Sequence, residues 1–108
     1  MPPRLPHISH LQFLALGALV AGERSGRSIR DQAGGFGVRR TAAAFYQMMA
    51  RLERDRLVEG WYQPVRIGDQ AVTERWYRIT AAVSRAWAAT REFYQHVFRS
   101  AGEGWSNA

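Results

Sequence analysis

The chain contains no cysteine and no lysine. Without thiols it forms neither a disulfide nor a thiolate-bound metal site, and that composition is compatible with a reducing compartment. All 15 basic side chains are arginine, and against nine acidic side chains they leave a net charge of +6. Because guanidinium groups bind phosphate well, this balance favours a polyanionic partner such as nucleic acid. Coding bias toward arginine gives the same composition, so charge alone is weak evidence.

Long apolar runs are absent as well. No stretch approaches the roughly 20 apolar residues that a membrane-spanning helix requires. The first ten residues, MPPRLPHISH, carry three prolines and lack the apolar segment and cleavage pattern of a signal peptide. We therefore expect no membrane association and a cytoplasmic location. A chain of 108 residues is expected to form one domain with one modest core.

The sequence offers no catalytic constellation. Its three histidines, His7, His10 and His96, lie near the ends of the chain without clustered carboxylates to orient them or to share a metal. We therefore predict no enzyme, no metal site and no cofactor. His7 and His10 are candidate metal ligands, although a polar arm is the better interpretation of the segment that carries them.

The segment TAAAFYQMMARLERDRLVEG, residues 41–60, predicts an amphipathic helix followed by a strand. Its apolar residues recur at spacings of three and four, so they share one helical face: Phe45, Met48, Met49 and Leu52. Gln47, Arg51 and Arg54 face elsewhere. The hydroxyl of Thr41 is suited to cap the first turn. One face of this helix is therefore expected to pack in the core, and the other is polar and basic.

A β-hairpin is predicted directly after this helix. Leu57–Arg66 and Thr73–Ile79 are rich in β-branched and aromatic residues, and Gly68 and Asp69 lie between them. With those two residues at the centre of the turn, Trp61 lies opposite Trp76. The other face, which we expect to meet the core, carries Val58, Tyr62, Tyr77 and Ile79.

Three further helices complete the predicted fold. The first runs from a Ser9 cap to Val20, and Gly22 stops it; its inward residues are Leu11, Leu14, Ala18 and Leu19. The second spans Gly26–Ala33 and is followed by the glycine-rich turn 34–38. The last runs from Ala81 to about Arg99.

The fold class is therefore mainly α with a two-stranded β wing: a winged helix-turn-helix plus a C-terminal dimerisation helix. We divide the chain into an N-terminal arm (1–8), the winged-helix domain (9–80), the dimerisation helix (81–99) and a flexible tail (100–108).

Several linked motifs of this chain resemble the PadR family of transcriptional regulators. The matching positions are Phe45 with Tyr46, Arg51 to Glu53, Leu57 with Val58, and Tyr77 to Thr80. Upstream, Gly26 and Ile29 match the family's Gly-x-x-Ile segment. The resemblance covers roughly residues 11–98 and implies a winged-helix, DNA-binding regulator.

Three positions depart from the family pattern. Arg56 stands where the family usually has a glycine that ends the recognition helix in a left-handed conformation, and arginine costs about 1 kcal/mol there. Ala81 to Val83 replace an acidic residue followed by glycine. Ala42 to Ala44 offer few hydrogen-bonding groups where base edges are usually read.

The last helix carries a heptad-like apolar seam. Its members are Val83, Trp87, Thr90, Tyr94 and Val97, with Phe98 beside them. Val83 and Trp87 pack equally well on the chain's own core, whereas Phe93, Tyr94, Val97 and Phe98 need a partner. The resemblance implies a homodimer through this helix. It also implies a possible site for a flat aromatic effector between Trp87 and Tyr94 of the two subunits.

The candidate DNA contacts surround the recognition helix and the wing. They are Arg39, Arg40, Thr41, Tyr46, Gln47, Arg51, Arg66 and Arg75. Arg39 and Arg40 are the strongest, since no acidic residue lies within several positions of them. Arg51 has the alternative of pairing with Glu53, Asp55 or Glu59. Tyr46 has the alternative of a place in the core.

The functional prediction is a sequence-specific, DNA-binding transcriptional regulator of the repressor type. A homodimer would place two recognition helices in successive major grooves of a palindromic operator, about 34 Å apart, and a small aromatic effector would release it. The alternative is a winged-helix protein–protein interaction module without specific DNA binding. That module would use the aromatic side chains of Trp61, Trp76 and Trp105, whose role the sequence leaves open.

Overall fold

The computed structural model describes the backbone of residues 4–106 and the side chains of residues 4–102. Within that part of the chain, four helices and three strands follow one another. They are α1 (His10–Val20), β1 (Arg24–Ser25), α2 (Gly26–Gly35), α3 (Ala42–Arg54), β2 (Glu59–Ile67), β3 (Gln70–Arg78) and α4 (Ala81–Ser106). The predicted mainly helical winged helix-turn-helix is confirmed.

The sheet has three strands instead of the predicted two, in the order β1-β3-β2. The additional strand is the pair Arg24–Ser25, which lies antiparallel to β3 opposite Tyr77 and Trp76. Two residues carry no readable alternation of polar and apolar side chains. The sequence therefore gave no sign of this strand, which ties the loop after α1 to the base of the wing.

Local capping fixes the helix starts at the predicted positions. Ser9 and Gln12 form a reciprocal capping box at α1, and the Thr41 hydroxyl accepts a hydrogen bond from the Ala44 amide at 3.1 Å. Thr80 accepts from the Val83 amide at 3.2 Å, so α4 begins normally despite its departure from the family pattern.

The core lies between α1, α2, α3 and the base of the hairpin. Its largest fully buried side chains are Tyr77, Phe45, Leu16, Leu19, Ile29, Met49 and Leu52. All four residues of the predicted apolar face of α3 are buried. In α1 the predicted inward positions are buried except Leu14, which is half-buried. These contacts fix α3 with its polar face outward.

The hairpin has the predicted register, with Trp61 opposite Trp76 and Gly68 in the turn at a φ of 63°. The expectation that Tyr62 meets the core is wrong, since its side chain is 71% exposed. Tyr62 pairs with Arg75, two residues closer to the hairpin turn than the buried Tyr77, and its side chain therefore lies beyond the core. Val58 is buried, and Ile79 is half-buried against the core.

Helix α4 is longer than predicted. It has 26 residues and runs through Ser106 instead of ending at Arg99, so residues 100–106 are helical rather than a flexible tail. The segment contains no proline, and each of its two glycines costs only about 1 kcal/mol of helix propensity. No helix within residues 4–106 is both long and apolar enough to cross a membrane.

Candidate nucleic-acid interface

The turn between α2 and α3 presents two adjacent arginines to solvent. The guanidinium of Arg40 donates to the Arg39 carbonyl at 2.9 Å, and Arg30 donates to the Arg40 carbonyl at 3.4 Å. These three arginines and Asp31 line one hollow. No acidic residue occurs between Asp31 and Glu53 in the sequence. The start of the recognition helix is therefore surrounded by positive charge.

The exposed face of α3 begins with Ala42 to Ala44 and continues with Gln47 and Arg51. Thr41 accepts a hydrogen bond as the N-cap, and a hydroxyl that accepts retains its own proton as a donor. The three alanines leave the first turn without polar side chains. Recognition of bases would therefore depend on few side chains, chiefly Gln47 and Arg51.

A second hollow, which we call the α1–α3 hollow, joins this face to the start of α1. It has a volume of about 540 Å³, and its polar lining comes from Ser9, His10, Arg40, Gln47 and Arg51. Sequence reasoning assigned His10 to a polar arm. Only the fold brings it beside α3, because no local pattern links residues so far apart along the chain.

Arg51 is available because its possible acidic partners bind other arginines. Glu53 pairs with Arg75, Asp55 with Arg54, and Glu59 with Arg78. Among the described residues, Arg51 has no ion pair. The alternative that Arg51 is occupied by one of these three carboxylates therefore fails.

Tyr46 packs within the protein, which is the alternative to a DNA contact that its sequence allowed. It is half-buried, its ring lies over Gly26, where an added Cβ would come within 2.6 Å of it, and it packs edge-on against Phe45 at 5.2 Å between ring centroids. The phenol therefore locks α3 onto the start of α2. This packing leaves little of the ring free for a DNA contact.

The two wing arginines differ. Arg66 is exposed beside the turn of the hairpin, and no ion pair involves it within the described part of the chain. Arg75 is 2.5 Å from the Glu53 carboxylate, and its guanidinium lies 4.7 Å from the centre of the Tyr62 ring. Arg75 is thus engaged inside the protein, whereas Arg66 faces solvent.

The base of the wing is joined to both helices of the helix-turn-helix by ion pairs. Glu53 of α3 holds Arg75, and Arg27 of α2 lies 3.0 Å from Glu74. Burial raises the pKa of Tyr77 to about 12, although the nearby positive charge of Arg75 opposes the shift. Tyr77 therefore stays neutral and protonated within the core.

The outer wing tryptophans are half-buried instead of fully exposed. The Trp61 indole donates to the Gln63 side chain at 3.2 Å, and the Arg78 guanidinium lies 5.3 Å from its ring centre. The Trp76 indole nitrogen is buried, and none of the described residues provides it with a hydrogen-bond partner. The side chain of Trp105 lies outside the described residues.

Helix α4 divides into two parts. Val83 packs against the core, and the Trp87 indole donates to the Phe13 carbonyl at 3.1 Å. Thr90 is buried and its hydroxyl accepts from the Leu5 amide at 2.9 Å. The exposed large apolar side chains of the other part are Phe93, Tyr94, Val97 and Phe98.

Arg56 has the left-handed conformation that its position was predicted to require, with a φ of 60°. It directly follows the C-cap of α3, Asp55, and arginine is tolerated there at a cost of about 1 kcal/mol.

No group of three or more side chains with metal-ligating chemistry occurs among residues whose side chains are described.

Several solved structures of PadR family regulators share this architecture. A PadR family regulator from Eggerthella lenta superposes with a TM-score of 0.68 at 19% identity, over 91% of this chain and 83% of that one. One from Clostridium difficile gives 0.74 at 12% identity, over 90% and 99%. Bacillus subtilis PadR in complex with operator DNA gives 0.56 at 17% identity, over 80% of this chain and 47% of that one.

The fold is therefore the winged-helix fold found in PadR family transcriptional regulators. No protein-family model and no curated protein matches the sequence itself. At these identities the likeness identifies the fold, and the case for function depends on the chemistry of the surface.

Proposed function

We propose that this protein is a DNA-binding transcriptional regulator of the PadR type that acts as a homodimer on a palindromic operator and represses transcription. The observation that carries the proposal is the surface around α3, where Arg39, Arg40 and Arg51 are exposed. None of the three has an ion-pair partner among the described residues. Positive side chains without local counter-charges are suited to neutralise DNA phosphates.

The contacts divide by role. Arg39, Arg40 and Thr41 precede or cap α3 and would position it on the phosphate backbone, as Arg66 would at the wing. Gln47 and Arg51 lie one turn apart on the exposed face and would reach base edges. Arg75 and Tyr46 are better assigned to holding the wing and helix in place, since both are packed inside the protein.

The dimer is supported by the second part of α4. Tyr94 stacks on Phe98 at 6.5 Å between ring centroids. These two side chains, with Phe93 and Val97, form an exposed apolar stripe on α4. Burying it against a second copy removes that area from water. We do not extend the proposal to an aromatic effector between Trp87 and Tyr94, because the Trp87 indole is held by α1.

The test is a salt titration of fluorescence anisotropy with random duplex and with the DNA upstream of the gene. We expect tighter binding to the upstream duplex and a steep dependence on salt. Arg39→Ala and Arg40→Ala should each weaken binding to both duplexes and lower the salt slope by about one. Arg85→Ala, which removes an exposed arginine from α4, should leave the slope unchanged.

Failure of the folded protein to bind either duplex at low salt would overturn the proposal. The remaining function would then be a winged-helix interaction module. The partly covered wing tryptophans give that alternative less support than the sequence did.

A further inference from the structure

The α1–α3 hollow brings together basic side chains from separate parts of the chain, and no carboxylate of a described residue lines it. Arg40 comes from the turn, Arg51 from α3, and His10 is the first residue of α1. The other polar side chains among its described lining residues are Ser9 and Gln47, and none of these lining residues is acidic. The charge of this lining therefore suits the hollow to an anion.

The N-terminus of α1 adds to the positive potential of the hollow. A helix N-terminus carries a partial positive charge of about half a unit, and the first turn of α1 contains no acidic residue that would neutralise it. The Ser9 side chain is already used as the cap, since it accepts from the Gln12 amide at 3.2 Å. The imidazole of His10 is exposed and is free to turn toward a ligand.

We propose that the α1–α3 hollow binds a backbone phosphate of DNA and that protonated His10 is one of its ligands, so that DNA binding tightens as the pH falls. This proposal depends on the proposed function and extends the interface from α3 to α1. Arg40 supplies guanidinium donors to the phosphate at any pH near neutrality, and Arg51, which we assign to base edges, adds its positive charge to the hollow. His10 adds a positive charge and a second N–H donor only when its ring is protonated.

The pH dependence follows from the chemistry of the two surfaces. Backbone phosphates remain charged, and so do arginines, across the range near pH 6.5 where an imidazole ordinarily titrates. A proton bound by His10 would strengthen the phosphate contact, and by linkage the phosphate would favour the proton. The remaining histidines serve as internal controls, since His7 and His96 do not line the hollow.

The experiment measures binding of the full chain to the upstream duplex at about pH 5.5 and about pH 8, on either side of the ordinary imidazole range. The wild type should bind several-fold more tightly at the lower pH. His10→Gln should lose that gain, and its salt slope at low pH should be smaller by about one. His7→Gln should retain the gain. His10→Arg should bind tightly at both pH values.

The outcomes separate the two proposals. If the wild type binds DNA but His10→Gln keeps the full pH response, the phosphate site at His10 is wrong while the regulator stands. A wild-type affinity that does not change with pH would likewise rule out the phosphate site at His10 and leave the regulator in place. If the wild type binds no duplex at either pH, both proposals fail. Equal thermal unfolding of wild type and variants establishes that the comparison concerns folded proteins.

Discussion

The indole of Trp87 is held in place by α1. It donates to the Phe13 carbonyl, stacks on the Phe13 ring with 5.0 Å between centroids, and lies over Gly17. A Cβ at residue 17 would be 2.8 Å from the indole, closer than van der Waals contact allows. Because two other contacts fix the ring, it cannot move aside cheaply. The glycine is thus required for α1 to approach α4.

Gly17→Ala should therefore destabilise the fold, by about 1–3 kcal/mol as overpacked sites typically do, despite the better helix propensity of alanine. Gly35→Ala is the matched control, because nothing lies within 4 Å of its added Cβ. That variant should be neutral or stabilising by up to about 1 kcal/mol. Urea unfolding measures both. A Gly17→Ala variant as stable as Gly35→Ala would show that the indole is less tightly held than its contacts indicate.

At the scale of elements, the wing is set at a fixed angle to the recognition helix by opposed ion pairs. Arg27–Glu74 ties β3 to α2, and Arg75–Glu53 ties it to α3. The Arg75 and Glu53 side chains are 24% and 27% exposed, so water only partly screens the pair. Arg66 is carried by the same hairpin. We therefore expect the Arg75–Glu53 pair to help hold the wing where it would meet DNA.

Glu53→Gln should weaken DNA binding without removing a phosphate contact. The loss should not exceed about fivefold in affinity, which corresponds to the roughly 1 kcal/mol that a partly exposed pair contributes. Arg75→Ala should have a similar effect and leave the salt slope nearly unchanged, whereas Arg66→Ala should lower the slope by about one. Anisotropy titrations at several salt concentrations distinguish them. A slope lowered equally by Arg75→Ala and Arg66→Ala would restore Arg75 as a direct phosphate ligand.

These elements also show what local sequence determines. The spacing of Phe45, Met48, Met49 and Leu52 predicted the buried face of α3, and Ser9 and Thr41 predicted two helix starts, because periodicity and capping are local. The exposure of Tyr62 and the pairing of Arg75 were missed. Both depend on how far the helices extend over the sheet, which is a tertiary property.

The candidate site was predictable to a similar degree. Arg39, Arg40, Gln47 and Arg51 are exposed as the pattern around α3 predicted. His10 was not among the predicted site residues, because its neighbours in the α1–α3 hollow come from the turn and from α3. Such a cluster exists only after α1 packs on α3.

The whole molecule is elongated, and α4 is the reason. The radius of gyration is 16.4 Å, compared with about 13 Å for a compact chain of this length. The helix is about 39 Å long at 1.5 Å per residue. Its first part packs on α1, and its second part carries the exposed stripe that begins at Phe93. A single copy of the chain thus leaves half of α4 without a cover.

We predict a dimer held together by the apolar stripe of α4. It should dissociate when side chains of the stripe are replaced by charged ones. Wild-type protein should sediment at about twice the 12.3 kDa mass of one chain. The double variant Tyr94→Glu/Phe98→Glu should sediment as a folded monomer, since burying unpaired carboxylates is costly. Phe36→Glu is the matched control. Phe36 is 69% exposed in the turn after α2, away from α4, and that variant should remain dimeric.

The same double variant tests whether dimerisation and DNA binding are coupled. Two recognition helices on one dimer bind two half-sites about 34 Å apart as a single event, so a monomer loses the gain from linked binding, about 100-fold or more. Its affinity for the upstream duplex should fall by that factor, while its weaker binding to random duplex changes less. A monomeric wild type, or a monomeric variant with undiminished affinity for the upstream duplex, would contradict an operator read by two subunits.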